Sequence, residues 1–119
     1  MAEVCDEVGE VLRELGHQAQ RYADAGIDPA MTPRQLLAAA RTRQLELIVA
    51  GRETIEAMLP GSGDKQTFGR VLVQLPGKPE EQEEAIARLF FRFKRLTPGR
   101  LYTATPDHAK ARQLPISLD

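Results

Sequence analysis

The sequence predicts an α+β fold: a helix-rich single domain in which N-terminal amphipathic helices lead into a strand–helix–strand unit. Three observations carry this. Residues 3–25 place Val4, Val8, Val11, Leu12, Leu15, Ala19 and Tyr22 on one helical arc, opposite Asp6, Glu10, Arg13, His17 and Asp24. Residues 79–96 carry a second apolar face, in which Ile86, Leu89, Phe90, Phe93 and Leu96 recur at three and four residues. On either side of that second helix lie segments of strand character, the aliphatic run Val71, Leu72, Val73 and Leu75, and the alternating stretch Arg100 to Thr103.

Taken in order, the first helix (3–25) has a natural C-cap in Gly26, and Asp28-Pro29 marks a turn. Thr32-Pro33 is an N-cap followed by a first-turn proline, so a second helix opens there. Leu36, Leu37, Ala40, Leu47 and Ile48 fit one face of a helix extending over 33–49; LELIVAG, from Leu45, also fits a short buried strand, and the helical reading is preferred. Gly51 ends it. A short helix follows, with Arg52 and Glu56 paired at i, i+4, and carries Ile55, Met58 and Leu59 to Pro60-Gly61.

The loop PGSGDKQ then joins the helical half (1–59) to the strand–helix–strand core (67–105), with strands near 67–75 and 100–104. In the intervening helix Pro79 occupies a first-turn position, Glu80, Glu81, Glu83 and Glu84 crowd the positive end of the dipole, and Lys94 and Arg95 sit at the negative end. Thr97-Pro98-Gly99 stops it. A helix between two strands permits a right-handed parallel crossover that lays its Phe-rich face on the sheet. Residues 113–119 form a tail.

A chain of 119 residues fits one domain able to bury a core without metals or disulfides. No apolar run is long enough to span a bilayer, and the start, MAEVCDEVGE, lacks the basic and apolar regions of a secretory signal. Cys5, the only cysteine, allows no intrachain disulfide. The expected compartment is the cytoplasm, with no membrane partner. A net charge of −1 conceals an uneven distribution: residues 1–25 hold six acids against Arg13 and Arg21, whereas from Ala85 to Leu118 seven bases face only Asp107.

Catalytic and cofactor signatures are missing from the pattern. GSGDKQT (61–67) contains glycines, a lysine and a threonine, but a phosphate-binding loop needs Gly-Lys-Ser/Thr adjacent and opening a helix, and here Asp64 and Gln66 intervene before a strand. The glutamates around Gln82 are explained by their place in the first helical turns, and nothing else points at them as cation ligands. His17 falls on the polar face of its helix, Ser62 and Ser117 stand in no nucleophile-elbow context, and Cys5 lies on an apolar side. The expectation is a protein that is not an enzyme and has no metal or cofactor.

What remains is binding. Arg88, Arg92 and Arg95 line one stripe of the 79–96 helix with Phe91 among them, and Arg100 follows on the next strand. Cations around an aromatic that falls outside the apolar arc suit phosphate contact with base stacking. The tail segment Gln113 to Leu118, QLPISL, resembles the short Gln-Leu-x-Leu-x-Leu/Phe peptide by which bacterial replication and repair factors dock on the sliding clamp. Gln113, Leu114 and Leu118 match, Ile116 replaces a leucine, and no aromatic ends it. That resemblance implies that Gln113 hydrogen-bonds at the pocket mouth while Leu114, Ile116 and Leu118 fill apolar subsites.

The functional expectation is a small regulator or adaptor acting by binding another protein. The alternative is a nucleic-acid-binding accessory factor that uses the basic C-terminal third and docks on a replication clamp through its tail. The stripe on helix 3–25 also suits docking on a second copy of the chain.

Overall fold

Helices and strands alternate along the chain in a computed structural model, which describes residues 4–22, 24–28, 30–58 and 70–113. The elements are α1 (Asp6–Glu14), α2 (Pro33–Thr42), β1 (Leu47–Ala50), α3 (Arg52–Met58), β2 (Leu72–Leu75), α4 (Pro79–Arg92), β3 (Arg100–Ala104) and β4 (Ala109–Gln113). The strands form one mixed sheet in the order β1-β2-β3-β4, with β1, β2 and β3 parallel and β4 antiparallel to β3. The result is a compact α+β domain with helices on both faces of the sheet. The parallel return from β2 through α4 to β3 is the crossover that the sequence implies.

The two faces follow from the period of two along each strand. Leu47, Leu72 and Leu101 are in register across β1, β2 and β3, and with Val49 they pack under α2 and α3 against Leu36, Ala40, Ile55 and Met58. One residue further along each strand, Ile48, Val73 and Tyr102 point the other way, toward Val8 and Leu12 of α1 and Ala85, Ile86 and Leu89 of α4. A slip of one residue in either parallel pairing would exchange these sets between the two cores, so the pattern fixes the register.

Residues 45–50 are therefore not the end of a helix. Helix α2 opens as expected, with the Thr32 hydroxyl accepting from the Gln35 amide and the Gln35 side chain accepting from the Thr32 amide, a complete capping box with Pro33 in the first turn. It stops at Thr42 because Gln44 takes a left-handed backbone (φ 57°), which lets the Leu45 amide reach Ala40 O and the Gln44 amide reach Arg41 O. A glutamine in that role gives the sequence no glycine to mark the stop, and Leu47 to Ala50 emerge as the edge strand β1.

The first helix is also shorter than its apolar arc suggests. Gly16 (φ 91°), not Gly26, closes it: the Gly16 amide donates to Arg13 O and the His17 amide to Leu12 O, the paired bonds of a Schellman motif. From residue 15 the chain leaves the helical line and runs beside β1, where the Tyr22 hydroxyl donates to Ile48 O at 3.1 Å. Arg43 holds this segment from the other side, donating to Ala25 O at 2.6 Å and Gly26 O at 3.0 Å. Gly26 is required there, since its φ is 75° and a Cβ would lie 2.9 Å from Arg43 Nη1.

Helix α3 forms as expected with the Arg52 Nε to Glu56 Oε1 contact at 2.8 Å, and β3 occupies the anticipated 100–104. Strand β2 begins at Leu72; 67–69, the loop PGSGDKQ and Leu59 lie outside the described residues. Strand β4 had no counterpart in the sequence reading. Its alternation (Ala109, Ala111 inward; Lys110, Arg112 outward) uses small side chains that carry little hydrophobic signal.

Candidate interaction surface

Helices α1 and α4 lie side by side on one face of the sheet and run parallel. At one end the Cys5 amide meets Gln82 and the Cys5 thiol approaches Pro79 O; at the other the His17 ring lies on Phe90, with centroids 4.8 Å apart. Between them runs a shallow open groove of about 280 Å³ lined by Val11, Glu14 and Leu15 from α1 and its cap, and by Ala87, Phe90 and Phe91 from α4. Leu15 (51% exposed) and Phe91 (79%) are the large hydrophobic side chains that the described residues leave in solvent, and both border this groove.

Their exposure has local causes. Leu15 stands at the C-cap of α1, where the chain turns off the helical line before the arc on which Leu15 falls can reach the core. Phe91 lies outside the buried face of α4, which is made of Gln82, Ala85, Ile86 and Leu89. The Arg88 guanidinium carbon lies 5.8 Å from the Phe91 ring centre, and Arg88 Nε donates to Pro106 O at 3.4 Å, toward the β3–β4 turn and away from α1. Across the two helices the order is thus an acidic rim on α1 (Glu10, Glu14), the apolar groove, Phe91, and a basic rim on α4 (Arg88, Arg92).

The expected arginine stripe is only partly helical. Arg88, Phe91 and Arg92 belong to α4, but the helix ends at Arg92, and Phe93 adopts extended angles (φ −118°, ψ 105°). The ring of Phe93 packs edge-on against Tyr102 at 5.1 Å, and the Tyr102 hydroxyl accepts from the Thr97 amide at 2.7 Å, so the core contact pulls the chain out of the helix before Lys94 and Arg95. Arg95 is exposed in the turn that follows rather than one turn further along the stripe. Arg92 stands over Phe93 at 5.3 Å. Arg100 opens β3, half-buried and in register with Gln113.

Gln113, the first residue of the clamp-like tail, is the last of β4 and exposed there; Leu114, Ile116 and Leu118 lie outside the described residues. The four glutamates at the start of α4 fan outward around Gln82, and among the described residues no group of three or more His, Cys, Asp or Glu side chains gathers to hold a metal ion. His17 is exposed, off the helix and against Phe90 rather than on the polar face of a long helix. Cys5 precedes α1 half-buried, and burial pushes its thiol pKa up, which keeps it protonated. Among the described residues no helix is long and apolar enough to cross a membrane.

The residues that sequence reasoning missed are Val11, Leu15 and Phe90. All three fit the core pattern, and only Gly16, the signal for an early helix end, could have separated Leu15 from the buried set.

No family model matches this chain, and neither a curated protein nor a solved structure matches it. Function is therefore read from the surface chemistry.

Proposed function

We propose that this protein is a small non-enzymatic regulator or adaptor that works by binding another protein through the α1–α4 face, in the cytoplasm, where a lone cysteine stays reduced. The observation that carries the reading is Phe91. An aromatic ring 79% exposed, beside a second exposed hydrophobic and an apolar groove, with charged rims on both sides, has the composition of an interface centre. Phe91 supplies a rigid apolar anchor, and the groove beside it offers a recess for a partner side chain. Isolated exposed hydrophobics need no explanation, but two of them bordering one groove do.

The second reading, nucleic-acid contact, draws on Arg88 against Phe91. Arg92, Lys94, Arg95 and Arg100 would add phosphate contacts around a stacking ring. It is the weaker of the two because Glu14 lines the same groove and would repel a phosphate backbone. Clamp docking by Gln113, Leu114, Ile116 and Leu118 remains a separate proposal for the tail.

The test is a photoactivatable amino acid in place of Phe91, cross-linked in the native cell with and without nuclease, against the same probe in place of Glu53 on α3. The protein reading expects nuclease-resistant adducts to protein from position 91 and none from position 53. Adducts lost with nuclease support the second reading, and equal labelling from both positions contradicts a specific surface.

A further inference from the structure

We infer that the protein seated on the α1–α4 face is a second copy of this chain, related by a two-fold axis that runs parallel to the groove, between its floor and Phe91. This rests on the reading of that face as a protein-binding surface. The face is self-complementary in charge. Its α1 side carries Glu10 and Glu14, both exposed, and its α4 side carries Arg88 and Arg92, both exposed. A two-fold axis lying in the contact plane and parallel to the helices places α1 of one copy over α4 of the other, and the reverse contact follows by symmetry. The acidic rim then meets the basic rim twice.

The same rotation satisfies shape. Phe91 lines the α4 side of the groove and is largely exposed there, so each copy presents a projecting ring beside a recess. Turning the partner about that axis brings each Phe91 into the groove of the other copy, toward Leu15. An axis perpendicular to the helices would instead stack α1 on α1, setting Glu10 and Glu14 of one copy against those of the other, and is disfavoured.

Charge also fixes how far along the helices the contact extends. The first turns of α4 carry Glu80, Glu83 and Glu84, all exposed, and lie beside Asp6 and Glu7 at the start of α1. Those ends repel in the dimer, so the match is confined to the halves from Glu10 and Arg88 onward. A patch of two helices over about one and a half turns each covers roughly 150 Å² per copy, far under the ~800 Å² per partner of a standard stable interface, so association is weak and reversible. Salt weakens it further, because the rims are exposed and screened.

Sedimentation equilibrium of the full chain over a wide concentration range, at low and high salt, provides the test. The expected result is a monomer–dimer equilibrium that weakens with salt and is lowered at least about tenfold in affinity by Phe91→Glu. Two charge-reversed variants test the charge match: Glu10→Arg with Glu14→Arg, and Arg88→Glu with Arg92→Glu. Each alone should be monomeric, since like charges then face one another, and an equimolar mixture should form a heterodimer in which both contacts are again opposite in charge. All four positions are exposed, and circular dichroism checks that the variants fold. A wild-type chain that stays monomeric at millimolar concentration overturns the proposal, as does a dimer indifferent to Phe91→Glu or a mixture that does not associate. If the wild type is monomeric yet position 91 cross-links to a different protein in the cell, only the second copy is wrong. If position 91 cross-links to nothing, the protein-binding reading falls with it.

Discussion

The side chain of Gln82 joins the two helices that form the proposed interface, its Oε1 accepting from the Cys5 amide at 2.7 Å while its Nε2 donates to Pro76 O at 3.0 Å. Gln82 is fully buried, in the middle of a run of glutamates that are mostly exposed. The start of α1, the exit from β2 and the first turn of α4 are thus fastened at one point. That fastening sets the parallel alignment of α1 and α4, and with it the place of Leu15 beside Phe91.

Replacing Gln82 by leucine should destabilise the fold by about 1–3 kcal/mol, because two half-buried backbone groups lose their partners. Gln82→Glu should cost more, since it buries a carboxylate facing the Pro76 carbonyl. Equilibrium denaturation in guanidinium measures both. A loss no larger than that of Glu83→Ala, at an exposed neighbouring site, would show that the bridge contributes nothing to folding.

The two left-handed helix stops should respond in opposite directions. At Gly16, where a Cβ would meet nothing within 4 Å, Gly16→Ala introduces backbone strain without a clash and should cost about 1 kcal/mol. At Gln44, with φ 57°, glycine relieves the strain already present, and Gln44→Gly should stabilise by about 0.5–1 kcal/mol. Thermal melts of the two variants check the pair.

Tyr22 gives the fold an alkaline limit. Burial raises its phenol above the ordinary value of 10.0, while the hydroxyl donates to the edge strand at Ile48 O. The folded state therefore keeps this proton where the unfolded chain has lost it. The corresponding stability is fully present below pH 10 and declines as pH rises through the folded-state pKa. Tyr22→Phe should cost about 1 kcal/mol at neutral pH and flatten the loss of stability above pH 10, as read from denaturation midpoints across that range.

Cys5 should be a slow thiol. With its pKa pushed up by burial, alkylation at pH 8 should be slower in the folded protein than in denaturant. Gln82→Leu should accelerate it by loosening the start of α1, and equal rates in folded and denatured chains would contradict the packing described for Cys5.

Much of this architecture is legible in the sequence because the signals are local and redundant. Thr32-Pro33 with Gln35 specifies a capped helix start, Arg52 and Glu56 a short helix, and Val71 to Leu75 a buried strand. Three things are not legible, each for a physical reason. Helix α2 ends on a left-handed glutamine, so β1 reads as its continuation. Strand β4 carries Ala109 and Ala111 where a pattern search looks for larger residues, since α4 leaves them little room. Helix α4 ends at Arg92 because Phe93 packs on Tyr102, a tertiary contact between residues whose helical and strand patterns are separately normal. The surface followed the same division: Arg88, Phe91 and Arg92 are visible as a stripe, but the groove exists only once Gly16 has ended α1 and Gln82 has set α1 beside α4.

On the proposed dimer, Phe91 is exposed for association and not for folding. Phe91→Ser, followed by guanidinium denaturation at low protein concentration and by sedimentation at high concentration, tests it directly. The expected result is folding stability within about 0.5 kcal/mol of the wild type, as for an exposed site, together with loss of association. A fall in stability of about 3 kcal/mol or more, the range for truncating a core phenylalanine, with association unchanged, would contradict it.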